Sequence, residues 1–162
     1  MAEKAFNSAI VGHGEESPEQ LLANPRNAKI HPKAQQRATE QAMERVGWID
    51  EVTVNKRTGM VLDGHMRVAI ALRRDEETVP VRYVDLSPED ELIALRTFDP
   101  LGSLAAYDDD LLDDLSREVA GMDGASGLLD DMGVDLSALF SEESEPPKEQ
   151  KAEREKCPLC GK

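Results

Sequence analysis

Cysteine is almost missing: the 162 residues hold two, both in Cys157-Pro158-Leu159-Cys160. No disulfide framework can staple the rest of the chain, so the fold must rest on its own core, which suits a reducing compartment. Aromatic residues are scarce at 4%, with a single tryptophan. Stacking on nucleobases is therefore not the main device, and the core must come from Val, Ile, Leu, Ala and Met. No apolar run approaches the roughly 18 residues that span a bilayer, and the first residues lack a basic stretch followed by an apolar one. The expectation is a soluble, cytoplasmic protein with no membrane partner.

Positive charge is the third shortage, and it is local. The net charge is −14. Residues 24–74 nevertheless carry ten Lys/Arg against five Asp/Glu, whereas 99–147 carry fourteen Asp/Glu against Arg117 alone. A balance this uneven describes two regions rather than one average surface.

The length allows one ordinary domain with attachments. Residues 1–17 mix glycines and charges and are expected to be a mostly flexible arm, in which Phe6, Ala9, Ile10 and Val11 are the one apolar cluster that could form a short strand. Ser17-Pro18-Glu19-Gln20 has the form of a capped helix start, and Asn24-Pro25-Arg26-Asn27 that of a turn. Ala34, Ala38, Ala42 and Val46 recur every four residues, predicting an amphipathic helix over 32–46 that Gly47 ends. Residues 51–55 and 60–62 read as a hairpin around Lys56-Arg57-Thr58-Gly59. A helix over 67–74, a strand over 79–85 and a helix from Ser87-Pro88 to about Phe98 follow. The fold class expected is α+β, a small domain over 18–98 with a short mixed sheet and packed helices. Residues 99–140 form an acidic helical extension, with helices near 108–120 and 128–132. Residues 141–156 hold no large apolar side chain and are expected to be a disordered linker to a CxxC tail at 157–162.

The most informative segment is Asp63-Gly64-His65-Met66-Arg67, where a strand runs through glycine into a helix. Free backbone N–H groups at the positive end of a helix dipole suit a phosphate, Gly64 lets the backbone come close, and Arg67 adds a fork of donors. Equally, Gly64 can simply make a tight turn beside a polar His65 and a surface Arg67. Asp63, His65 and His31 also suit a divalent ion or an activated water, hence a metal-dependent endonuclease with Asp63 and His65 as candidate catalytic residues. Against that, Asp63 is equally suited to cap the following helix.

The order of Asn24-Pro25-Arg26-Asn27, the helix ending at Gly47, the hairpin, Asp63-Gly64-His65-Met66-Arg67 and Val79-Pro80-Val81 resembles the N-terminal domain of the ParB family. That family includes the small ParB-like nuclease domain proteins of phages and mobile elements, and the match covers about residues 18–98. The resemblance implies a fold shared with sulfiredoxin and a site for a nucleoside triphosphate, CTP or ATP with magnesium. It assigns Arg26 to one arginine motif and Gly64, His65 and Arg67 to another, and it leaves NTPase activity as an option. Sulfiredoxin's catalytic cysteine has no counterpart in this loop, so sulfur reduction is excluded. Partition proteins follow this domain with a helix-turn-helix module, but here the next stretch is acidic and would repel DNA phosphates. Phe98-Asp99-Pro100 and the helix after it resemble the extension of phage relatives that accompany DNA methyltransferases. The implied function is a nucleotide-binding, DNA-associated accessory protein of phage or plasmid DNA metabolism, serving partition or DNA modification. Its partner would be DNA or a DNA-processing protein such as a methyltransferase.

Two features point elsewhere. Cys157 and Cys160 have the form of a zinc knuckle, but zinc wants four ligands, so a closed site needs a second chain or a longer C-terminus. An unoccupied tail or a redox dithiol are the alternatives. The leucines of the acidic helices call for cover on the domain or in a homodimer. A non-catalytic adaptor that binds protein partners through 99–162 is accordingly the competing function.

Overall fold

The computed structural model describes residues 6–135. The linker over 141–156, Cys157 and Cys160 lie outside the described residues. Four strands, β1 (Ile10–Glu16), β2 (Val52–Asn55), β3 (Val61–Asp63) and β4 (Val79–Val84), form one mixed sheet in the order β1-β4-β2-β3. β4 lies antiparallel to β1 and parallel to β2, while β2 and β3 form the expected antiparallel hairpin. The helices are α1 (Lys33–Val46), α2 (His65–Arg73), α3 (Pro88–Gly102), α4 (Asp109–Ala120) and α5 (Ser126–Asp131).

β2 is central and all four of its residues are buried. Its parallel register sets Val52 opposite Val81 and Val54 opposite Tyr83. Val52, Val54, Val61, Val79 and Val81 meet Val68 and Ala71 of α2 to form the core, with Leu21, Trp48 and Tyr83 packed on it. β-branched side chains suit a pleated surface, and burying each valine contributes roughly 1.5–3 kcal/mol. The scarcity of aromatics is thus met by a valine core.

Local signals set several ends. Gly47 stops α1, its N–H reaching Met43 O at 2.8 Å. Ser87 Oγ accepts from Asp90 N–H at 3.1 Å with Pro88 in the first turn, and Asp108 caps α4 from Leu111 N–H. Other expectations differ from the structure. Residues 10–16, expected within a flexible arm, are the edge strand β1, paired along β4 from Ile10 opposite Val84 to Glu16 opposite Val79. The cause is tertiary, since β4 offers its free edge and Tyr83 lies under Gly14. Ser17 makes no side-chain cap, and Pro18–Gln20 is only a 3-10 turn. α3 runs past Phe98 to Gly102 with Pro100 inside it.

The acidic extension returns to the domain through α5. Ala125 and Leu129 are buried, and α5 packs on α1. Arg37 Nη2 reaches Asp131 Oδ1 at 2.6 Å, Gln41 Nε2 donates to Asp131 Oδ2 at 3.1 Å, and Arg45 Nη1 donates to Asp123 O at 2.7 Å. One carboxylate of the acidic extension, Asp131, thus pairs with a cation of α1, Arg37. Leu111, Leu112 and Leu115 of α4 remain exposed.

Candidate functional site

β3 ends at Asp63, and the chain turns through Gly64 into α2. Gly64 has φ +95, a left-handed conformation, and a Cβ there would sit 3.2 Å from both Cα and Cγ2 of Val52. Both the turn and the close approach to β2 demand glycine at this place. The N-cap is Gly64 itself and no side chain caps α2, so Asp63 does not play the capping role open to it in the sequence. Its carboxylate instead pairs with Arg67, Nη2 to Oδ2 at 3.0 Å. The first helical bond runs from Val68 N–H to Gly64 O at 2.9 Å, which leaves the amides of the first turn without a partner inside the helix.

The Asn24–Asn27 turn packs against this helix start. Asn24 is buried, its backbone N–H donates to His65 Nε2 at 3.2 Å, and its Oδ1 accepts from Arg26 N–H at 3.0 Å. His65 must then carry its proton on Nδ1. Burial holds its pKa below the usual imidazole value; His31 and Lys29 push the same way, while Asp63 and Asp99 oppose them.

A small polar cleft of about 100 Å³ opens over this junction, lined among others by Asn27, Lys29, His31, Asp63, Gly64, His65, Arg67 and Asp99. Lys29 Nζ meets Asp99 Oδ2 at 2.6 Å, joining the loop to α3. Arg67 is forked between Asp63 and Asp50, the latter at 3.0 Å from Nη1, with Nη2 also 3.4 Å from Glu51 O. Its buried Nε has no partner among the described residues. Gly64, His65 and Arg67 are thus brought together, while Arg26 is exposed and lies outside the cleft lining. His31 Nδ1 faces Gln35 Oε1 at 3.1 Å. Asp63 and His65 each have other partners, and among the described residues no group of three or more His, Cys, Asp or Glu side chains is gathered to hold a metal ion.

Lys29, Asp99 and Glu91 belong to this neighbourhood without having been singled out for it from the sequence. Glu91 is buried, and its carboxylate accepts from Asn24 Nδ2 at 2.9 Å, from Thr58 Oγ1 at 2.8 Å and from Asn55 Nδ2. These contacts, led by Asn55, together with the charge of Arg26, outweigh the burial penalty and hold the Glu91 pKa below the usual carboxylate value. The only advance signal was the turn chemistry of Asn24 and Asn27.

No family model and no curated protein matches the chain, but fourteen chains of solved structures do. One is the C-terminally truncated chromosome-partitioning protein ParB of Caulobacter crescentus complexed with CTP-gamma-S. It is 18% identical with a TM-score of 0.55, over 80% of this chain and 75% of that one. Two structures of a pNOB8-like ParB N-domain are 14% and 15% identical, with TM-scores of 0.46 and 0.45. They align with 55% and 57% of this chain, which spans about a third of theirs, 36% and 34%. The likeness to the Caulobacter protein is one of fold: this chain has an α+β fold like that of the ParB N-terminal domain. Among the described residues no helix is long and apolar enough to cross a membrane.

Proposed function

We propose that the chain is a ParB-like nucleotide-binding module that takes the phosphates of CTP or ATP, with magnesium, at the start of α2. The observation that carries this reading is the Asn24 N–H to His65 Nε2 bond, which seats one arginine-bearing turn on the other phosphate-suited segment. The residues fit the ligand. The first turn of α2 has no side-chain cap, Lys29 and Arg67 line the cleft, and a neutral His65 keeps Nδ1–H as a donor. A phosphate would compete with Asp63 for Arg67 and with Asp99 for Lys29, releasing carboxylate oxygens of the kind magnesium prefers. Arg26 would close from the exposed side. The likeness to a protein solved with CTP-gamma-S supports the same ligand class.

The role that follows is that of a nucleotide-dependent accessory factor in phage or plasmid DNA partition or modification, with DNA or a DNA-processing enzyme as partner. The acidic extension argues that any DNA contact falls on the basic region over 24–74. Calorimetric titration of CTP and of ATP, each with and without magnesium, tests the reading; saturable binding of either is expected, and none to either would overturn it. A second reading, a protein-binding adaptor, is favoured by the exposed Phe98, Leu101 and Leu104 of α3 and its exit and Leu115 of α4. Those side chains give a partner an apolar face whether or not nucleotide binds.

A further inference from the structure

We infer that Glu91 is a positioning residue for this site: its buried carboxylate holds the Asn24 side chain, and through it keeps the Asn24 N–H on His65 and the 24–29 loop on the start of α2. The consequence for ligand binding rests on the nucleotide reading above, whereas the positioning itself does not.

The chemistry of the contacts selects a carboxylate here. Glu91 Oε1 accepts from Asn24 Nδ2 at 2.9 Å, and Oε2 accepts from Thr58 Oγ1 at 2.8 Å and from Asn55 Nδ2. A carboxylate only accepts, so it satisfies three converging donors, whereas an amide would turn a donor of its own toward them. Burying a charge is costly; the three groups that donate to it here are neutral, and the charge of Arg26 adds to them. A core position would have been filled more cheaply by leucine. The position is explained by what it holds. Glu91 is 7% exposed and Asn24 4%, and the polar groups of Asn24 are all engaged, Nδ2 on Glu91, Oδ1 on Arg26 N–H and its own N–H on His65. Fixing the amide plane from Glu91 therefore fixes the turn and the bond to His65. Asn55 anchors the arrangement below, its Nδ2 also donating to Leu86 O at 3.1 Å and its Oδ1 accepting from Leu86 N–H at 3.2 Å.

The test reads His65 directly, by NMR titration of its imidazole in the full chain, alongside nucleotide binding. Glu91→Gln should free Asn24, loosen the loop and raise the His65 pKa toward the ordinary imidazole value. Asn24→Ala should do the same from the other side. If Glu91 acts through Asn24, the double variant should titrate as Asn24→Ala alone does. Each single variant should weaken CTP or ATP binding on the order of tenfold, and Thr58→Ala, which leaves the Asn24 link in place, should leave the His65 titration unchanged. A His65 titration unmoved by Glu91→Gln, or a double variant equal to the sum of the singles, would overturn the inference. Should Glu91→Gln lose its cooperative unfolding transition, Asn24→Ala decides on the same readout, and an unmoved His65 there overturns it too. A wild-type chain that binds neither nucleotide yet shows these His65 shifts would sink the nucleotide reading and leave the positioning role standing.

Discussion

The backbone N–H of Asn24 donates to Nε2 of His65 across 41 residues of sequence. An imidazole can accept there only while Nε2 is unprotonated, so the contact and the charge of His65 are linked.

From this linkage a pH dependence follows. Burial lowers the His65 pKa in the folded chain, so below about pH 6.5 the unfolded chain binds a proton that the folded chain refuses. Stability from this group is therefore full above pH 6.5 and falls as pH drops from 6.5 toward the lower folded-state value. Urea unfolding at pH 8, 6.5 and 5.5 should show a steeper acid loss for the wild type than for His65→Gln. Equal slopes would mean that His65 titrates alike in both states.

Gly64 is fixed by two independent demands, φ +95 and a Cβ that would press on Val52. Gly64→Ala should destabilise the fold by roughly 1–3 kcal/mol, the range for a side chain held in a strained backbone region. Denaturation midpoints measure it, and a loss below about 0.5 kcal/mol, the size of an ordinary surface change, would contradict the geometry.

The acidic extension is docked through Leu129, which is 5% exposed. Leu129→Ala should cost about 2–3 kcal/mol by opening a cavity between α5 and α1. Asp131→Ala should cost much less, because the Arg37 end of its pair is more than half exposed and water screens it there. If the two variants proved equally mild, α5 would be a loosely held appendage rather than part of the folded unit.

What the sequence disclosed was local. The alanine spacing of α1, the Ser87-Pro88 start of α3 and the alternating valines of β2 and β4 are signals that each segment carries by itself. β1 was half legible: Ile10 and Val11 offered a short strand, but Gly12, His13, Gly14, Glu15 and Glu16 have no strand pattern, and their pairing comes from the open edge of β4. The same holds at the site. Gly64 and its neighbours stand out as a strand-glycine-helix junction, whereas Glu91 meets Asn24 across 67 residues and Lys29 meets Asp99 through the placement of α3. No residue pattern near either partner announces such a pairing.

Arg67 gives the sharpest test of the ligand. Its guanidinium is shared between Asp50 and Asp63, so a phosphate arriving at the start of α2 would exchange one carboxylate for another anion and need not recruit a free side chain. A charge-assisted contact is worth roughly 1.5–3 kcal/mol, so Arg67→Ala should weaken CTP or ATP binding ten- to a hundredfold. Lysine, a point charge without the fork, should restore little of it. Arg73, toward the other end of α2, is paired with Glu40 at 2.9 Å, and Arg73→Ala should leave affinity nearly unchanged. Asp63→Asn should strengthen binding in the absence of magnesium, since it removes the competing anion, and that gain should shrink once magnesium is present. Equal small losses for the two arginine variants would mean diffuse attraction to a basic surface, and an Asp63→Asn variant that binds more weakly without magnesium would show that Asp63 holds Arg67 in place for the ligand rather than competing with it.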